Sequence, residues 1–148
     1  MRKGAVISTV IVLGLLICVG SASADPGAEA KALVEKAVAM AKEKGLKPAL
    51  AAINDLKGPF VKGDYYIFAM SLNNLRLAAG SPVNKPKLGT VATASFNKEM
   101  ADIAKGKGSG WIEYKWPKPN QKEPTPKKAF IMRVPGEDAY FGCGYYLK

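Results

Sequence analysis

The sequence predicts an α+β domain, in which helices come first and an antiparallel sheet, interrupted by one further helix, follows. Apolar residues recur at helical spacing after Asp25. In the last third of the chain, aromatic and β-branched residues alternate with small or polar ones, and turn residues bound each run. Alternation of this kind is typical of half-buried strands in an antiparallel sheet.

Three helices are predicted. The first begins at Asp25-Pro26, where a carboxylate can cap free N–H groups and proline occupies the first helical position, and it ends at Gly45. A short second helix covers Ala49–Ile53. The third runs from about Ser95 to Lys105, where apolar residues mark one face.

Five strands are predicted from runs of aromatic and aliphatic residues between turn signals. The long loops 80–90 and 117–126, both rich in proline, are expected to be exposed. The predicted strands are Tyr65–Leu72, Leu75–Ala79, Trp111–Trp116, Lys128–Val134 and Ala139–Leu147.

The first 24 residues have the pattern of an export signal. A basic start precedes the apolar run Ala5–Val19, and a small-residue cleavage site ends at Ala24. The apolar run is shorter than the ~20 residues that a membrane-spanning helix needs. We therefore predict a signal peptide over residues 1-24, one domain over residues 25-148, and a periplasmic or secreted protein. The alternative is an uncleaved N-terminal segment that anchors the domain.

The chain is basic, with a formal net charge of +10, which cleavage would reduce to +8. The lysines are scattered over helix faces and one loop, so a solvated surface is favoured over a nucleic-acid site. Weak attraction to anionic lipid is the alternative. The scattered lysines are Lys31, Lys36, Lys42, Lys44, Lys118, Lys122, Lys127 and Lys128.

Cysteine and histidine exclude several functions. Cys143 is the only cysteine after the predicted signal peptide, so no internal disulfide can form. We expect Cys143 to be a small buried residue of a strand. The chain has no histidine, which excludes c-type haem attachment, His-based zinc sites and Ser-His or Cys-His nucleophiles. We predict that the protein is not an enzyme and holds no metal and no cofactor.

The last strand carries two glycines of one parity, Gly142 and Gly144, so part of one sheet face lacks side chains. Such a face can receive another backbone or a small ligand. Strand cations could hold a small anion, with Arg133 as first choice and Lys115 as second. The alternative is that both cations point to water. Aromatic walls are predicted from Tyr66, Phe68, Trp111, Tyr114 and Trp116, for which ordinary core packing is the alternative.

Several motifs resemble the single Cache domain family. They are GPFV at 58–61, DYYIF at 64–68, the helix 96–105, GWIEYKWP at 110–117 and YFGCGYY at 140–146. The resemblance implies a PAS-like extracytoplasmic sensor domain, with a long N-terminal helix packed on a five-stranded antiparallel sheet. It also implies a small-molecule ligand, such as a small organic acid, and a membrane chemoreceptor or histidine kinase as partner.

Two features depart from that family. Many relatives carry a His-Pro pair where this chain has the segment 79–89, without histidine, so the ligand cannot be taken from them. The chain also ends at Lys148, directly after the last predicted strand, so we expect signalling through a separate membrane protein. The two main hypotheses are a sensor for a small carboxylate and an accessory subunit of an envelope complex with a degenerate pocket; an enzyme is the third.

Overall fold

The structure is a computed structural model and describes residues 24–148. The predicted signal peptide therefore lies outside the described residues, except for Ala24. Within residues 24–148, no helix combines the length and the apolar character needed to cross a bilayer.

The N-terminal helix α1 covers Pro26–Lys44 and α2 covers Leu46–Asn54. Asp25 caps α1 as predicted, because its Oδ1 atom accepts a hydrogen bond of 3.1 Å from the Gly27 N–H. Gly45 separates the two helices with a φ of +94°, a conformation that favours glycine. The buried side of α1 is made of small residues, which let the helix lie close to the sheet: Gly27, Ala30, Val34, Ala37, Val38 and Ala41.

The main sheet has five antiparallel strands, as the resemblance implied, in the order β4-β3-β7-β6-β5. The chain adds a small hairpin of two short strands before it and, between β4 and β5, a 3₁₀ turn at Lys85–Lys87 and helix α3 at Ser95–Lys105. The hairpin strands are β1 (Val61–Lys62) and β2 (Tyr65–Tyr66), and the sheet strands are β3 (Phe68–Met70), β4 (Arg76–Ala79), β5 (Ser109–Pro117), β6 (Pro124–Arg133) and β7 (Tyr140–Tyr146).

All five strands differ slightly from the predicted bounds, and two of them differ by more than two residues at one end. The predicted strand Tyr65–Leu72 is divided at Ile67, whose N–H donates to the Phe60 carbonyl and whose carbonyl accepts from the Gly80 N–H. Tyr65 and Tyr66 therefore belong to the hairpin. Strand β6 begins at Pro124 rather than at Lys128, because its prolines lie at and beyond the end of β7, where a missing N–H removes no bond from the ladder.

The two faces of the sheet have different covers. On one face, Phe141 and Cys143 of β7 pack in a core with α1 and α2. On the other face, Tyr140 of β7 and Ile131 of β6 pack in a second core with α3. The odd residues of β7 thus point toward α1, and the even residues point toward α3.

Candidate ligand-binding site

A cleft opens on the α3 face of the sheet, between the sheet, α3 and the loop that follows β4. Its empty volume is about 440 Å³ including its open mouth, of which about 40 Å³ can hold the centre of a water-sized sphere. One water needs roughly 10–15 Å³ by the latter measure. The cleft therefore has room for a few waters or a small organic molecule.

The walls of the cleft are mostly apolar and aromatic. Phe96 of α3 stacks on Tyr114 of β5 with ring centroids 4.8 Å apart, and it meets Trp116 edge-on at 6.1 Å. Met70 and Met100 add flexible apolar surface. This is the usual character of a small-molecule site, in which a few polar groups provide the specificity.

Beside the cleft, Lys127 is unusual in that it is a lysine buried without a polar partner in the described part of the chain. Its side chain is fully buried, with 0% of its surface exposed, although lysine is rarely buried without a partner. Among the described residues, its Nζ atom has no hydrogen-bond partner and no carboxylate oxygen within 4.0 Å. The ammonium is instead surrounded by four aromatic rings.

The distances from Nζ to the ring centroids locate the ammonium beside the cleft. They are 4.2 Å for Tyr66, 5.2 Å for Tyr146, 5.7 Å for Phe68 and 6.0 Å for Tyr114. Three of these four rings, those of Tyr66, Phe68 and Tyr114, also line the cleft. The Tyr66 hydroxyl is buried and, within residues 24–148, makes no hydrogen bond. Lys127 itself does not line the cleft, but its ammonium lies next to rings that do. A cation and a hydroxyl without a partner among residues 24–148 are therefore both found beside the aromatic wall of the cleft.

The hydroxyls of Tyr114 and Tyr146 and the thiol of Cys143 do not supply a counter-charge near neutral pH. Burial raises the pKa of the Tyr114 hydroxyl well above its ordinary value. Burial likewise raises the pKa of Tyr146, whose hydroxyl donates a 2.7 Å hydrogen bond to the Pro117 carbonyl. The Cys143 thiol has a pKa raised to about 11 by burial, against the opposing effect of Lys127. These groups stay neutral at pH 7, so the ammonium is not paired with a phenolate or a thiolate.

The two glycines of β7 make room for this arrangement. A Cβ atom at Gly144 would lie 2.5 Å from the Lys128 carbonyl oxygen and 2.8 Å from Cε of Lys127. A Cβ atom at Gly142 would overlap the ring of Phe68. The predicted bare face exists, and it points toward the cleft. The side chains of Phe68 and Lys127 occupy it: Gly142 leaves room for the Phe68 ring, which lines the cleft, and Gly144 leaves room for the stem of Lys127.

Further polar groups line the cleft away from Lys127. Arg76 of β4 donates a 2.8 Å hydrogen bond to the Thr90 hydroxyl from one guanidinium nitrogen. The side chains of Asn84 and Asn97 line the cleft and are largely buried. These three residues offer both hydrogen-bond donors and acceptors to a ligand.

Four of the predicted aromatic residues line the cleft: Tyr66, Phe68, Tyr114 and Trp116. The other two predicted residues of β5, Trp111 and Lys115, do not line this cleft, since both lie on the opposite face of the strand. The side chains of a strand alternate between faces, so Tyr114 and Trp116 can line the cleft only if Trp111 and Lys115 do not. Lys115 is exposed, and Trp111 is 38% exposed with its ring 5.2 Å from that of Phe130.

Arg133 also does not line this cleft, for a different reason. Arg133 shares the cleft-side parity of β6 with Lys127, but six residues separate them, which is about 20 Å along a strand. It is half-buried and does not line the cleft. Sequence reasoning missed Lys127 and Arg76. For Lys127 the local signal was misleading, because Pro124 and Pro126 made the first half of β6 look like a loop.

Comparisons with known proteins agree with this geometry. The family model of the Cache domain matches residues 29–148. Among solved structures, a periplasmic sensor domain of a chemotaxis protein has a TM-score of 0.64 at 24% identity, covering 82% of this chain and 90% of that one. No curated protein matches the chain in sequence.

Two further structures share the fold. One is a Cache chemosensory domain studied for carboxylic acid recognition, with a TM-score of 0.61 at 19% identity over 82% of this chain and 88% of that one. The other is a methyl-accepting chemotaxis protein from Vibrio parahaemolyticus RIMD 2210633, with a TM-score of 0.64 at 18% identity over 80% and 86%.

A five-stranded antiparallel sheet with a long N-terminal helix on one face and a small apolar cleft on the other is a PAS-like fold. The match over residues 29–148 makes the assignment more specific. The chain belongs to the Cache domain family.

Proposed function

We propose that this protein is an exported, non-enzymatic sensor module that binds a small organic acid in the cleft and reports it to a membrane chemoreceptor or histidine kinase. The buried ammonium of Lys127, which lacks a partner among the described residues, is the observation that carries the proposal. A bound carboxylate would supply the missing counter-charge, and it could also accept a hydrogen bond from the Tyr66 hydroxyl.

The energetics favour an anionic ligand over a neutral one. A buried charge without a partner is costly, and the faces of aromatic rings compensate for it only in part. A ligand that brings a carboxylate to Lys127 recovers this cost on binding. A neutral apolar ligand would leave the ammonium unpaired. The small volume and the apolar walls further favour an acid of few carbon atoms.

The relatives support the sensing role and the kind of partner. Two structural neighbours are chemotaxis proteins, and one Cache neighbour was studied for carboxylic acid recognition. We extend to this chain the same class of ligand and a membrane signalling protein as its partner.

Calorimetric titration tests the ligand, with acetate, propionate, lactate, pyruvate and succinate as probes. We expect at least one acid to bind, and we expect Lys127→Met to weaken it by about 2–5 kcal/mol because a buried charge contact is lost. Lys115→Met is the matched control, since it removes the same charge from the opposite, exposed face. Equal affinity in the Lys127 variant and the parent would overturn the assigned anchor.

One observation favours the second candidate, an accessory subunit of an envelope complex. Phe68 and Lys127 fill much of the face that the glycines leave bare, and the remaining room is small. Absence of thermal stabilisation by all five acids, together with co-purification of one envelope protein, would favour this candidate. Turnover of any acid would instead indicate an enzyme.

A further inference from the structure

We infer that the free edge of β5 pairs, antiparallel, with β5 of a second copy of this chain. The starting point is a difference between the two edges of the sheet. The β4 edge is covered: the Arg76 N–H donates to the Thr90 carbonyl at 3.0 Å, and the Ala79 N–H donates to Oδ1 of Asn54 at 3.0 Å. The β5 edge has no such cover within residues 24–148.

The backbone N–H and C=O groups of alternate β5 residues point toward β6 or away from the sheet, and one observed hydrogen bond shows which residues do which. The Arg133 N–H donates to the Gly108 carbonyl at 2.7 Å, and these two residues continue the β5–β6 register. In an antiparallel ladder, bonded pairs recur at every second residue, so the even residues of β5 bond to β6. The N–H and C=O groups of Trp111, Glu113 and Lys115 therefore point away from the sheet. None of them makes a hydrogen bond to another described residue.

An uncovered edge of this length is a template for strand pairing unless its side chains prevent it. Trp111, Glu113 and Lys115 share one face of β5, and all three are exposed. Helix α1 packs mainly against β6 and β7, and on β5 its first turn reaches the Trp111 ring, which lies beside Gly27. The exposed face thus presents an aromatic ring, the carboxylate of Glu113 and the ammonium of Lys115. The Glu113 carboxylate also lies 3.4 Å from Nζ of Lys128 on β6, so a charge from a second copy would share it with Lys128.

The charges select one register. If two β5 strands pair about Tyr114, Glu113 of each copy lies opposite Lys115 of the other, and two ion pairs form. Pairing about Glu113 would instead bring two carboxylates together, which is unfavourable. In the Tyr114-centred register, Glu113 and Lys115 also form a bonded backbone pair, because both present their free groups outward. The strand is therefore complementary to itself in charge and in hydrogen bonding.

Sedimentation velocity tests the pairing at protein concentrations from about 10 μM to about 1 mM. The protein is purified from cells that export it, so that it has the N-terminus that the cell gives it. We expect a reversible monomer–dimer equilibrium. Lys115→Glu and Glu113→Lys should each weaken it about tenfold or more, since each creates two like-charge pairs. The double reversal should recover most of the affinity. Lys105→Glu, an exposed charge change on α3, should have little effect.

A monomer at every concentration would overturn the proposal, and so would a double reversal no better than the singles. Cross-linking fixes the register. Under oxidising conditions, a mixture of Glu113→Cys and Lys115→Cys proteins should form disulfides between the two variants, because Cα atoms of a bonded pair lie about 5.5 Å apart. Cys143 is buried and does not compete. Cross-linking of Glu113→Cys protein with itself would indicate the other register and overturn the pairing about Tyr114.

Discussion

The Nζ atom of Lys127 lies 4.2 Å from the centroid of the Tyr66 ring, which helps to form one wall of the cleft. The face of an aromatic ring attracts a cation, but it does not replace the water that burial removes from an ammonium. In the unliganded protein, the Tyr66 ring therefore offsets only part of the free-energy cost of burying the Lys127 ammonium.

Because this cost is only partly offset, we expect the charge of Lys127 to lower the stability of the unliganded fold while it raises the affinity for an acid. Lys127→Met keeps the stem and removes the unpaired charge, so we expect the unliganded variant to be more stable by about 1–4 kcal/mol. Urea unfolding measures the difference. Lys115→Met, which alters an exposed side chain, should change the free energy of unfolding by less than about 0.5 kcal/mol. A less stable Lys127→Met protein would mean that the four rings more than compensate for burial.

The two glycines of β7 should differ in their tolerance of a methyl group. Gly144→Ala forces a Cβ atom against the Lys128 backbone carbonyl, which can move only with the strand. Gly142→Ala meets the end of the Phe68 ring and the end of the Ile131 side chain, which can shift. We expect both to destabilise, Gly144→Ala by about 1–3 kcal/mol and Gly142→Ala by less. Phe68→Leu should partly restore the stability of Gly142→Ala and leave that of Gly144→Ala unimproved.

Alkaline pH should destabilise the fold through its buried acids. Burial raises the pKa of Cys143 from 9.0 to about 11, so the thiolate forms first in the unfolded chain. The stabilising contribution is complete below about pH 9 and is lost as pH rises to about 11, an effect of about 2–3 kcal/mol. Urea unfolding from pH 8 to pH 11 measures it. Cys143→Ala should give a shallower decline between pH 9 and pH 11, and an unchanged slope would contradict the assignment.

The two tryptophans should report differently on the cleft. Trp116 lines it, whereas Trp111 lies on the other face of β5. Addition of an acid that binds should therefore change the fluorescence of the parent and of Trp111→Phe, but not that of Trp116→Phe. Calorimetry on each variant confirms that binding itself is retained. A signal that persists in Trp116→Phe and disappears in Trp111→Phe would place the ligand on the α1 face.

The predicted leader can be tested by intact mass of the protein from an envelope fraction. We expect the mature chain to begin at Asp25, because the small-residue cleavage site is followed directly by the residue that caps α1. A mass that retains residues 1–24 would instead indicate a membrane-anchored form. Asp25→Ala should lower the free energy of unfolding by about 1 kcal/mol, since the cap to Gly27 is lost.

The fold could be predicted from local chemistry. The α1 boundaries follow from Asp25-Pro26 and Gly45, and α3 was predicted with the limits it has, because its apolar face repeats at helical spacing. Tyr114 and Trp116 were correctly given one face by parity. Parity also shows that Trp111 belongs to the other face, but it does not show which face the cleft occupies, since that depends on where α1 and α3 pack.

Lys127 could not be found in this way. Two prolines within three residues indicate a loop, and a lysine in a loop is expected to be solvated. The ladder of β6 nevertheless begins at Pro124, and Lys127 pairs with Tyr114 on one side and Tyr146 on the other. Its burial depends on neighbours distant in sequence. An ammonium among aromatic rings is a property of the assembled sheet.

Strand β7 separates the two cores by the thickness of one backbone. Gly142 lies against Phe68, which lines the cleft, and Gly144 lies against the stem of Lys127, while Cys143 between them packs in the core with α1 and α2. No layer of side chains lies between these residues to absorb a movement. A molecule that pushed the Lys127 stem against Gly144 would therefore displace the Cys143 backbone as well. The strand would transmit the movement from the α3 side of the sheet to the α1 side.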